Sequence, residues 1–416
     1  PDNMGIYFRT NLGRVGGDIN GLIGLMQAGG VPAMQIGSSM LAQDGQYMRR
    51  ERSFDGVTFQ TVISQETYER DRELADNYTR GLRAIIGVQE RMSQAAEIVN
   101  TILSSFGKSA KIPVGNRARL ESANFSAKLH NLVRQYLLAI KANGAAQLAI
   151  RAIQQGVPAS DGTVKPHKVI VAVENTMESI IEELETQGLP MNFNGVLRMY
   201  LNQMRRIKVS GGAYGREAQY FTLEENPPAE FADMDDRQLL NMLVIFSKNP
   251  ETGEDAYQVN QDAANEMIRR AMMGVFREAQ AILEDIQLAD MPVSPIDAMR
   301  QIVERAGIKT GEMTGRETGI DKNGQPYQRN AAEVKGKLKA KDDFNNSNLD
   351  FLVINKSGST GVSMHASEKF KDKRPRLMLV VQANLDINEF MQTIGRIHRA
   401  GQVELPSYMN VQSALP

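Results

Sequence analysis

Cysteine and tryptophan are both missing from the 416 residues. Without cysteine the chain has no disulfides, no thiolate metal sites and no cysteine nucleophile. Histidine is scarce: His130, His167, His365 and His398 are scattered, and no two have zinc-ligand spacing. No apolar run approaches the ~20 residues of a membrane span, and no signal-peptide pattern opens the chain. No membrane partner is expected, and a cytoplasmic setting is the default. An excess of one charge is absent too. With 48 basic and 49 acidic side chains the net charge is −1, so any nucleic-acid site must be a local patch. The chain opens at Pro1 without an initiator Met, so a piece of something longer is expected.

The content is that of an ordinary globular protein, 42% hydrophobic and 23% charged. Its length exceeds one comfortable core, so two or three subdomains are expected. Val57–Ile63 alternates like a strand, and residues 67–106 and 117–155 read as helical. After a Gly/Pro/Ser/Asp loop, Lys168-Val-Ile-Val-Ala-Val173 is a buried-strand candidate, with a helix opening at Glu174-Asn-Thr-Met-Glu178. Residues 190–285 break this α/β pattern and read as a partly helical insertion. A helix near 296–306, a strand at Leu349–Ile354 and a strand at Leu377–Gln382 resume it. Lys335, Lys337, Lys339 and Lys341, spaced by two, spread around a helix and read as a solvated face.

Two segments carry the chemistry. Asn355-Lys-Ser-Gly-Ser-Thr-Gly-Val-Ser-Met-His-Ala366 follows a buried strand, where α/β sheets bind ligands, and small residues let backbone N–H groups approach phosphate. Gln392-Thr-Ile-Gly-Arg-Ile-His-Arg-Ala-Gly-Gln402 follows the next strand. Asp386, with Glu389 three residues on, fits a capping box. On the helix this starts, Gln392, Arg396 and Arg399 fall at i, i+4 and i+7, on one face. Two guanidinium groups aimed one way suit a polyanion. A surface helix with salt-bridged arginines fits the spacing equally well.

The order of strand, Gly/Ser loop, strand and two-arginine helix resembles the second half of the superfamily-2 helicase engine. Residues 355–366 are similar to its motif V, and Gln392-x-x-Gly395-Arg396-x-x-Arg399 to motif VI. Further stretches resemble the strawberry notch-like helicases in particular: Gly45–Phe59, Lys168–Glu178, Pro292-Val-Ser-Pro-Ile-Asp297 and Gly311-Glu-Met-Thr-Gly-Arg316. They occur in that family's order and span most of the chain, with residues 190–285 matching least. The polar insertion departs from the eukaryotic pattern and favours a phage or bacterial source.

The resemblance implies an α/β fold: a RecA-like second helicase lobe with a parallel sheet, a helical N-terminal region and a partly helical insertion. It implies a division into an inter-lobe segment (1–75), a helical region (76–160), the lobe (161–190 and 286–416) and the insertion (191–285). Arg396 and Arg399 are then arginine fingers on a transferred γ-phosphoryl group. Gln392, Gly395, Gly361 and Ser363 line the nucleotide, although many relatives have Asp where Ser363 stands. Thr176, Thr314, Arg316, Ser359 and Thr360 touch a nucleic-acid backbone, taken as DNA.

ATP and Mg²⁺ are the implied cofactors, held mainly by a first lobe. That lobe's phosphate loop is not found here, because the only Gly-Lys-Ser, at 107–109, has Ile102 where the first Gly belongs. It is assigned to a loop. The expected partner is therefore the missing N-terminal helicase lobe, and the chain alone is expected not to hydrolyse ATP. The expected setting is the cytoplasm of a bacterial or phage-infected cell, or a virion. The alternative is a catalytically inactive helicase-fold module for binding or virion structure.

Overall fold

The computed structural model describes residues 2–46, 53–122, 126–159, 161–214, 217–223, 225–226, 229–356 and 361–413. Residues 1–55 and 56–416 form two compact units. In the first, α1 (Ile19–Gln43) starts at Asp18, whose carboxylate accepts from the Gly21 amide at 2.6 Å. Gly30, at φ 58°, kinks it two residues before Pro32. Leu12, Leu22, Met26 and Leu41 close a small core.

The second unit opens with β1 (Thr58–Ile63) and α2 (Tyr68–Ser109). Leu74, Tyr78, Gly81, Ile85, Val88, Met92, Ala96, Val99 and Leu103 are buried on α2 at steps of three and four, an apolar stripe along one face. Two expectations fail here. Gly107–Ser109 is the last turn of α2 and not a loop, and the chain after it is not helical from 117. Residues 118–122 form β2 (Ala118–Ser122), and α3 (Ser126–Gln154) follows. Ala118 and Leu120 point inward and Arg119 outward. That short alternation was hidden among good helix formers, and a distant partner strand overrode their propensity.

Next come β3 (Lys168–Ala172), α4 (Glu178–Thr186) and α5 (Phe193–Gln203). They are followed by β4 (Arg206–Gly211), β5 (Gln219–Thr222), the antiparallel hairpin β6 (Val244–Lys248) and β7 (Asp255–Val259), and α6 (Gln261–Asp285). β2, β4 and β5 make an antiparallel sheet. In this region α5 and α6 share one core with α2: Leu197, Tyr200, Ile268, Met272 and Phe276 pack with the stripe on α2.

Among the elements that follow are α7 (Pro295–Arg305), β8 (Thr310–Met313), α8 (Lys337–Asn345), β9 (Phe351–Ile354), β10 (Arg376–Val380), α9 (Ile387–Ile394) and β11 (Ser407–Gln412). Six strands form one wholly parallel sheet in the order β1-β11-β10-β3-β9-β8. Its central strands are buried on both faces, which explains their unbroken apolar runs. Val169, Val171, Phe351, Val353, Leu377 and Leu379 lie in register and form a core with α3 and α7. On α3, Ala142, Ala145, Ala146, Ala149 and Ala152 are all buried, so small side chains let the helix lie close to the sheet. The same helix sends Leu132, Tyr136 and Ile140 into the other core. This is an α/β fold with the parallel sheet of a RecA-like helicase lobe and a helical N-terminal region.

Candidate functional site

Every strand of the sheet runs the same way, so the loops leaving β3, β9 and β10 gather at one edge, where open α/β sheets place ligands. The loop after β3 is braced from β10: the Gln382 side-chain oxygen accepts from the Glu174 and Asn175 amides at 3.1 and 2.8 Å. Arg134 pairs with Glu174, and Asn175 Oδ1 accepts from the Met177 amide at 2.9 Å. Met177 is left-handed at φ 59°, so α4 starts at Glu178, later than the expected Glu174. Thr176 sits half-exposed in this braced loop.

The segment 392–402 differs from expectation in one respect. Asp386 does cap α9, accepting from the Asn388 and Glu389 amides at 2.7 and 3.2 Å. Glu389 does not return the bond; it pairs with Lys356 and accepts from Asn384. The helix then ends at Ile394. The Arg396 and Ile397 amides reach back only three residues, to Thr393 and Ile394, at 3.1 and 3.4 Å. The Ile394 carbonyl is taken by the Tyr408 hydroxyl at 2.6 Å. The last turn therefore tightens toward 3₁₀ geometry. Gln392 is exposed on α9, whereas Arg396 and Arg399 lie beyond its end, and the three do not share a helical face.

Residues 396–403 run alongside residues 362–367 instead. The Met364 amide donates to the Arg396 carbonyl at 2.9 Å, the Val403 amide to the Ala366 carbonyl at 3.0 Å, and Ser367 bridges Gln402. Arg396 is 8% exposed, and among the described residues its side chain makes one hydrogen bond, a long one from Nη1 to the Val362 carbonyl at 3.4 Å. Its Nε–H is buried without a partner, and no carboxylate pairs with it among the described residues. Burial, and then the charge of Arg399, lower its pKa. Arg399 is half-buried, with its Nε–H on the Gly395 carbonyl at 3.2 Å and its amide on Gln402 Oε1 at 3.1 Å.

Gly361 is exposed at φ 78°, and Ser363, half-buried, offers its carbonyl to Asn345 Nδ2 at 3.3 Å. Gly361, Ser363, Gly395, Arg396 and Arg399 are therefore brought together. Ser359 and Thr360 lie outside the described residues. Among the described residues no group of three or more His, Asp or Glu could hold a metal ion.

Thr314 and Arg316 are a correction. Both are 1% exposed, and neither can reach a nucleic-acid backbone. Arg316 directs all five N–H bonds inward: Nε to Glu312 at 2.7 Å, Nη1 to Ser294 and Asp297 at 2.9 and 2.7 Å, and Nη2 to Asp297 and Glu312 at 2.6 and 2.9 Å. Thr314 donates to Glu312, which also pairs with Arg329 at 3.0 Å. Burial raises the Glu312 pKa, but the Arg316 and Arg329 contacts more than reverse this and hold it at about 2.

Residues 292–297 and 311–316 thus knit α7 to β8. The spacing Glu312…Arg316 could have signalled the pair, but nothing local shows that Asp297 completes it. A second buried cluster also escaped notice. Lys168 Nζ lies 3.2 Å from Asp372, over the Phe344 ring, and Arg376 Nε–H donates to the Met364 carbonyl at 3.1 Å.

Comparison with known proteins points to one family. Residues 297–416 match the family described as the C-terminal domain on strawberry notch homologue. Protein strawberry notch homolog 1 of Rattus norvegicus is 22% identical over 463 aligned residues, covering 100% of this chain and 34% of that protein. Protein strawberry notch homolog 2 of Mus musculus is 22% identical over 419, covering 93% and 30%. Protein FORGETTER 1 of Arabidopsis thaliana is 27% identical over 175, covering 40% and 13%. The chain spans about a third of the length of the first two relatives. No solved structure matches it. Residues 297–416, which hold β8 to β11 and the joined 362–367 and 396–403 segments, are thus similar to the C-terminal domain of the strawberry notch proteins, and the weaker likeness to those proteins runs over the whole chain.

Proposed function

We propose that this chain is the second half of an ATP-dependent nucleic-acid translocase or helicase. The observation that carries the reading is Arg396, a buried guanidinium with an unmet Nε–H and no carboxylate beside it. Burying such a charge without a counter-ion costs several kcal/mol, which a phosphate seated against it offsets. Arg399, three residues further on, adds a second cation to the same anion site.

ATP fits these donors, and with Mg²⁺ it supplies a γ-phosphoryl group whose charge grows during transfer. Arg396 and Arg399 neutralise that charge from this side of the cleft, while Gly361 and Ser363 border the same edge. The sequence holds no Gly-x-x-x-x-Gly-Lys-Ser/Thr pattern, so in this reading the nucleotide's main binding surface belongs to a first lobe. Thr176 is the expected contact to a nucleic-acid phosphate, DNA in this reading; the buried Thr314 and Arg316 hold the domain together instead.

The test joins this chain to a phosphate-loop lobe, in one polypeptide or as two. DNA-stimulated ATP hydrolysis is expected, falling by ~10³-fold or more for Arg396→Ala or Arg399→Ala. Unchanged hydrolysis in both variants would sink the reading. So would turnover by the 416-residue chain alone that Arg396→Ala abolishes, because half a cleft would then suffice. Absence of any hydrolysis in the joined protein points to the inactive binding module.

A further inference from the structure

A groove of about 440 Å³ lies between the C-terminal turns of α2 and the strand β2, in the helical half of the unit and apart from the parallel sheet. Lys108, Arg117 and Arg119 line it, with Thr101 and Ser104 adding hydroxyls and Glu97 the one acid. None of the three cations has an ion-pair partner among the described residues.

The walls are fixed. Asn100 clamps β2 to α2, its amide N–H donating to the Leu120 carbonyl and its oxygen accepting from the Leu120 amide, both at 2.8 Å. Arg117 is held as well. Its Nε–H donates to the Ile112 carbonyl at 2.9 Å, and its stem lies across Gly107, where an added Cβ would come within 2.8 Å of Arg117 Cδ. A glycine inside a helix costs about 1 kcal/mol relative to alanine; here it makes the space in which the arginine lies. The two Nη groups have no acceptor among the described residues.

We infer that this groove binds the phosphodiester backbone of a nucleic-acid strand, a second contact independent of Arg396 and Arg399. Three cations against one acid, with the Ser104 hydroxyl beside them, match phosphate oxygens; the Thr101 hydroxyl already donates to the Glu97 carbonyl at 3.0 Å and can only accept. The C-terminal end of α2 opposes an anion with only about half a charge, which the cations outweigh. The one aromatic ring in the groove, Tyr257, has its hydroxyl committed to the Leu103 carbonyl at 3.0 Å. The groove reads backbone, not bases.

Fluorescence anisotropy of a labelled oligonucleotide with the 416-residue chain tests this. The Lys108→Gln/Arg119→Gln variant alters two exposed side chains and leaves the fold intact. It should weaken binding about tenfold at low salt and flatten the plot of log affinity against log salt by nearly two units. Gly107→Ala keeps every charge but displaces Arg117, and should weaken binding several-fold at an unchanged melting temperature. Unaltered affinity and salt slope in both variants would overturn the inference. So would equal competition by inorganic phosphate at matched phosphate concentration, which marks a small-anion site.

Discussion

Arg316 and Asp297 face each other in a two-pronged pair, Nη1 to Oδ2 at 2.7 Å and Nη2 to Oδ1 at 2.6 Å, with the arginine side chain wholly out of solvent. Removing one partner of such a pair leaves a buried charge uncompensated. Arg316→Met should therefore destabilise the second unit by about 3–5 kcal/mol, read as a lower urea midpoint. A variant as stable as the parent would show that the pair is dispensable.

Acid should weaken the same network. The Glu312 carboxyl is held at about 2 in the folded chain against an ordinary 4.5. Its folded value is the lower one, so its contribution is complete above the unfolded value and is lost as pH falls from about 5 toward 2. The unfolding free energy should drop through that window, and Glu312→Gln should flatten the drop. A slope unchanged in the variant would assign acid sensitivity elsewhere.

Arg396 should behave in the opposite way. Among the described residues its guanidinium makes one long hydrogen bond and no ion pair, so its burial costs the fold more than it returns. Arg396→Met is expected to leave the unfolding free energy unchanged or raise it by about 1 kcal/mol. A fall of 2 kcal/mol or more in calorimetry would mean that the side chain has a structural role.

Gly81 sets helix propensity against packing. An alanine there gains about 1 kcal/mol of propensity, but its Cβ would meet Leu197 Cδ1 at 2.7 Å and Ile286 Cδ1 at 2.8 Å. Overpacking a closed core costs typically 1–3 kcal/mol, so Gly81→Ala should lower the melting temperature by a few degrees. A higher melting temperature would mean that the core around α2 yields easily.

How much was legible depended on how local the signal was. The runs at 168–172, 351–354 and 376–380 were readable because strands buried on both faces need no partner to look apolar. The α2 stripe was readable from its period. β2 was not, because five residues of mixed propensity become a strand only when β4 lies beside them. The site was half legible. The order of segments pointed to 361–363 and 395–399, but helical spacing put Arg396 and Arg399 on α9, and the Tyr408 hydroxyl at the Ile394 carbonyl ends that helix before them. Thr314 and Arg316 looked like surface contacts because no local pattern shows that Asp297 and Glu312 enclose them.

The sequence by itself determined the residue types, the periodicities and the order of the segments, since each of these is a property of neighbours along the chain. The tertiary structure decided which arginines are spoken for. Arg316 meets two carboxylates brought from α7 and β8, whereas Arg396 is buried against backbone with none among the described residues. Both are arginines in motif-like stretches, and only the groups that folding carries to them separate a buried ion pair from a guanidinium without one.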